Sequence, residues 1–92
     1  MMSLQDILAR MITPGELIMT FEHLNGEKLA HLTREHADNT VLDFLFVQNM
    51  ERQGWIEECD SSPLTDPVVR VYSITVAGRR KYRALAQEAN AA

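Results

Sequence analysis

The residues of this 92-residue chain best suited to binding a charged partner are arginines. Arg79, Arg80 and Arg83 fall within about a 100° arc of a helical wheel, and Arg70 lies on the strand-like run before them. Cations in the first turn of a helix oppose its macrodipole, at about 0.3–1 kcal/mol each when exposed, so local stability does not call for them. Phosphate binding is the chemistry they suit, with duplex DNA as the partner. The competing reading is ion pairing to acidic parts of the same chain, or simple solvation. Other reactive groups offer less. His31 and His36 are five residues apart, on different faces of a helix, with no cysteine or carboxylate at a recognised ligand spacing, so no metal is expected. Cys59 sits among Glu57, Glu58 and Asp60, neighbours that do not activate a thiol as a nucleophile. Ser61 and Ser62 have no base beside them and read as turn residues. There is no glycine-rich phosphate loop. Neither an enzyme nor a bound cofactor is expected.

Charge is distributed unevenly. Residues 1–66 carry Arg10, Lys28, Arg34 and Arg52 against twelve acids, whereas residues 67–92 carry five cations against Glu88 alone. The net −4 therefore hides an acidic two-thirds and a basic end, a split that suggests a localised electrostatic surface. A single domain of this size buries only about 60–65% of its unfolded surface, so a partner subunit would add stability. Apolar runs are far shorter than the roughly 18 residues a membrane span needs. The first residues form neither a basic segment nor an apolar signal core, and Cys59 is the only cysteine, so a reducing, cytoplasmic setting is expected.

The elements that must position these arginines can be read in order. Ser3 caps a first helix with Leu4, Ile7, Leu8, Met11 and Ile12 at helical spacing. Thr13-Pro14-Gly15-Glu16 predicts a second helix start, with Leu17, Ile18, Phe21 and Leu24 facing inward and Asn25-Gly26 as the stop. Glu27 to His36 predicts a third helix. Ala37-Asp38-Asn39 turns into a fourth, Thr40 to Gln53, which ends at Gly54. Trp55–Cys59 and Val68–Ile74 then read as two strands around a loop rich in turn formers. The second strand carries Val69, Val71 and Ser73 on one face and Arg70, Tyr72 and Ile74 on the other. Thr75 caps a last helix over about Val76–Ala89.

That closing order carries a family resemblance. Met50-Glu51, Gly54-Trp55-Ile56, Tyr72-Ser73-Ile74-Thr75 and Gly78 resemble the motifs flanking the wing in MarR- and PadR-type bacterial regulators, over about residues 26–85. The resemblance implies an α+β winged helix-turn-helix fold, a homodimer and transcriptional regulation. Residues 1–92 would form one such domain: N-terminal helices over 1–25, a helix-turn-helix over 27–53, a two-stranded wing over 55–75 and a closing helix over 76–89.

The fourth helix departs from the family pattern. Val41, Phe44 and Leu45 fall on the arc that a DNA reader keeps polar, beside Gln48, Glu51 and Arg52, and Asp43 would repel phosphate. Thr40, Gln48 and Arg52 are the residues left to assist Arg70, Arg79, Arg80 and Arg83 on DNA. Val41, Phe44 and Leu45, with Leu8 and Met11 of the first helix, form either an intramolecular contact or an interface with a second copy or another protein. Two functions compete: a homodimeric DNA-binding regulator, and a protein-interaction module that does not bind DNA. Trp55, Ile56, Val71, Ile74, Leu45 or Phe46, Met50, Tyr82 and Leu85 are expected to share one core.

Overall fold

A computed structural model of the chain describes residues 2–33 and 40–91. The elements are α1 (Leu4–Ile12), β1 (Leu17–Glu22), β2 (Lys28–Thr33), β3 (Thr40–Leu42), α2 (Phe44–Arg52), β4 (Ile56–Ser62), β5 (Val68–Ile74) and α3 (Val76–Ala91). The strands form one five-stranded sheet in the order β3-β2-β1-β5-β4, and every neighbouring pair is antiparallel. The central strand is β1, held by β2 on one side and β5 on the other.

This architecture overturns the winged-helix expectation. Between α1 and α2 no described residue is helical, because residues 17–22 and 28–33 are paired strands. Asn25-Gly26 does not stop a helix; it turns a hairpin. Gly26 takes φ +92°, His23 N–H donates to the Glu27 carbonyl at 2.8 Å, and Glu27 N–H donates to Asn25 Oδ1 at 2.9 Å. An Asn-Gly pair between apolar runs is a strong hairpin signal, and it prevails here over the helical spacing of Leu17, Ile18, Phe21 and Leu24.

The predicted helix-turn-helix is absent from the described residues of 27–53. Lys28–Thr33 is a strand, Thr40–Leu42 is a short edge strand on β2, and only Phe44–Arg52 is helical. Asp43 caps that helix, with Leu45 N–H donating to Asp43 Oδ1 at 3.0 Å. The expected Ala37-Asp38-Asn39 turn and His36 lie outside the described residues. The two wing strands pair, with a bulge between Glu58 and Asp60. They form an edge of the five-stranded sheet and not a separate wing.

The core lies on one face of the sheet only. Ile18, Ala30, Leu32, Leu42, Ile56 and Tyr72 meet Ile7, Leu8 and Met11 of α1 and Val47 and Met50 of α2. Trp55, Ile74, Phe46, Tyr82 and Leu85 pack against this cluster. Val71 and Leu45 do not: Val71 alternates onto the other face beside buried Tyr72, and Leu45 is 72% exposed. Burial holds the Tyr72 hydroxyl above the ordinary tyrosine pKa, helped by the Glu51 carboxylate, against a hydrogen bond with Thr20 that lowers it.

Thr75 ties the last helix to the sheet. Its N–H donates to the Trp55 carbonyl at 3.0 Å, its hydroxyl donates to the Gly54 carbonyl at 2.6 Å, and Gly78 N–H donates to Thr75 Oγ1 at 3.0 Å. This fit requires glycine at position 78. A Cβ there would stand 2.2 Å from the Trp55 carbonyl oxygen and 2.7 Å from Ile74 Cγ1. Gly78→Ala should therefore cost about 2 kcal/mol through overpacking, despite better helix propensity. A thermal melt should fall by roughly 10 °C at this chain size. A rise would show that Trp55 does not hold α3 this closely.

Candidate functional site

With all three helices on one face, the other face of the sheet is uncovered among the described residues. Strand alternation decides which side chains it shows. Leu17, Met19 and Phe21 of β1 stand beside Thr33, His31 and Leu29 of β2. Val41 of β3 follows on one side, opposite His31. Val71 and Val69 of β5 stand on the other side, opposite Met19 and Phe21. Glu57, Asp60 and Ser62 of β4 complete the row, opposite Ser73, Val71 and Val69.

The centre of this face is apolar. Leu17, Leu29 and Val41 are 38%, 37% and 69% exposed, and Met19, Phe21, Val69 and Val71 are half-buried only by their neighbours. Phe21 meets the His31 ring edge to face, with centroids 5.7 Å apart. His31 Nδ1 is buried and has no hydrogen-bond partner among the described residues. The formal charges at the edge of the face, Glu57 and Asp60, both lie on β4.

Among the described residues, two arginines hold ion pairs away from this face. The Arg10 guanidinium grips Glu16, with Nη2 to Oε1 at 2.8 Å and Nε to Oε2 at 2.5 Å, and Nη1 donates to Thr40 Oγ1 at 3.0 Å. Glu16 is buried, and the pair joins the end of α1 to the starts of β1 and β3. The hydrogen bond to Glu16 raises the Arg10 pKa further, against a lowering by desolvation. Arg70 lies on the helix-bearing face and binds Glu22 at 2.9 Å and Glu58 at 3.0 Å; the Glu22 hydrogen bond leads the causes that raise its pKa.

The residues singled out from the sequence are dispersed. Arg70 is held by its two carboxylates, and Thr40 accepts from Arg10. Gln48 is half-buried on α2, and Arg52 is exposed in its last turn, where a cation suits the helix dipole. Arg79, Arg80 and Arg83 are exposed on α3 and make no ion pair among the described residues. Their neighbour Lys81 lies over the Trp55 ring, 5.2 Å from its centroid.

The expected interface set also divides. Leu8 and Met11 are core residues at 0% and 3% exposure. Phe44 is half-buried with the Lys28 ammonium 5.5 Å from its ring centroid. Leu45 stands exposed on α2, and Val41 alone belongs to the open sheet face. Among the described residues no group of His, Cys, Asp and Glu could hold a metal ion, and no helix is long and apolar enough to cross a membrane. Comparison with protein-family models, with curated proteins and with solved structures finds no match for the chain.

The open face itself escapes a helical reading of residues 14–36, because Met19, Phe21, Leu29 and His31 join one surface only when both segments are strands. Asn25-Gly26 is the signal that could have placed them there. The Arg10 pair also depends on this topology. Arg10→Met would leave the buried Glu16 carboxylate without its counter-charge, at a cost of about 3 kcal/mol. Chemical denaturation should show that loss, and Arg10→Met combined with Glu16→Leu should recover most of it. An unchanged midpoint in the single variant would refute the pair.

Proposed function

We propose that this chain is a protein-interaction module that docks its partner on the open face of the sheet. The observation that supports the reading is the uncovered apolar surface of Leu17, Met19, Phe21, Leu29, Val41, Val69 and Val71. Soluble monomers rarely leave a contiguous apolar patch of this kind in water, and a sheet with two apolar faces ordinarily buries both. The exposed, unpaired Cys59 fits a reducing cytoplasm. Adjacent residues of β1 test the reading directly. Ile18→Lys puts an unpaired charge into the core and should abolish the cooperative thermal transition. Met19→Lys, one residue on and facing outward, should keep native circular dichroism and a cooperative melt. Equal unfolding of both variants would mean that the chain covers this face itself, and the reading would fail.

Duplex DNA binding is a second reading, favoured by one observation: Arg79, Arg80 and Arg83 are exposed without ion pairs among the described residues. With no helix-turn-helix among those residues, such binding rests on phosphate contacts and carries little base discrimination. Each phosphate neutralised adds about −0.9 to the slope of log affinity against log salt. Replacing Arg79 and Arg80 by alanine should flatten that slope by roughly 2. No shift of random duplex at about 50 mM salt would remove this reading, because low salt favours counterion release.

A further inference from the structure

We infer that the occupant of the open sheet face is a second copy of this chain, packed face to face about a two-fold axis that runs along β1. The inference rests on the docking reading above and adds the partner's identity and orientation. Three observations favour a copy over an unrelated protein.

The first is area. The strands, three to seven residues long at about 3.3 Å each and about 4.8 Å apart, give a face of roughly 450 Å². Two such faces together remove about 900 Å² from water, close to the roughly 1,000 Å² of a specific interface before any contribution from loops.

The second is self-complementarity. A two-fold interface uses one patch twice, so that patch must not repel itself. Met19 and its flanking neighbours His31 and Val71 carry no carboxylate or permanently charged group, so the middle of the face can meet itself.

The third is the placement of charge. Glu57 and Asp60 both lie on the β4 edge, whereas the described β3 row shows Val41. An axis running across the strands would stack β4 on the partner's β4, carboxylate against carboxylate. An axis along β1 stacks β4 on the partner's β3 row and β2 on the partner's β5, which keeps the acids apart. Sheets packed in this way hold their strands nearly aligned, about 10 Å apart.

Sedimentation equilibrium from about 1 to 100 µM decides the proposal. The wild type should approach twice the 10.5 kDa chain mass. Val71→Lys, at the centre of the face, and Val41→Lys, at its exposed edge, should each weaken association at least 100-fold. Leu45→Lys, equally exposed but on α2, should leave association unchanged. Circular dichroism confirms that each variant is folded, and Val41→Lys serves even if Val71→Lys is not. A wild type that stays at 10.5 kDa through 100 µM would overturn the second copy as occupant. It would leave the docking reading standing if Met19→Lys still folds. A dimer broken by Leu45→Lys and indifferent to Val41→Lys would overturn this interface in favour of α2.

Discussion

The structure depends on one constraint: the three described helices cover one face of a five-stranded sheet, and the described residues supply nothing for the other. β1 shows this most clearly. Ile18 and Thr20 are buried beneath the helices, while Met19 and Phe21, on the same strand, stand on the open side. A strand paired on both edges cannot turn its apolar residues to one side, because side chains alternate with a period of two. The apolar surface on the open face thus follows from β1 being central and carrying apolar residues on both of its faces. It is a property of the topology and not of any one residue.

Electrostatics reinforces the separation of faces. The bound cations Arg10 and Arg70 each join segments distant in sequence: Arg10 links α1 to β1 and β3, and Arg70 joins β5 to Glu22 of β1 and Glu58 of β4. Both act as internal fasteners. Arg79, Arg80 and Arg83 are exposed on α3 and make no ion pair among the described residues. The basic end and the acidic remainder of the sequence therefore neutralise each other only in part. Arg70 does so through specific pairs, whereas the α3 arginines keep their charge at the surface.

How much of this was legible in the sequence varies by segment. The first helix, the strand alternation of Val68–Ile74 and the Thr75-capped last helix could be read because each has a clear period and both helices have a cap. Residues 14–33 misled because Leu17, Ile18, Phe21 and Leu24 satisfy helical spacing, while Leu17, Met19 and Phe21 satisfy strand spacing equally well. Pairing on both sides of β1 selects the strand, and a local pattern holds no record of that pairing. Thr40–Gln53 misled differently: one apolar run contains both the edge strand β3 and the nine-residue helix α2, divided by the cap at Asp43. The open face is hidden in the sequence for the same reason, since local spacing puts Val41 on a helix and Val71 in the core.

Solution NMR of residues 17–33 and 68–74 tests this arrangement of helices and sheet most directly. Extended backbone shifts are expected for 17–22 and 28–33, with cross-strand contacts from Met19 to both His31 and Val71. Helical shifts over 17–33, or contacts from Met19 to α1, α2 or α3, would contradict a sheet that carries its helices on one face and an open apolar surface on the other.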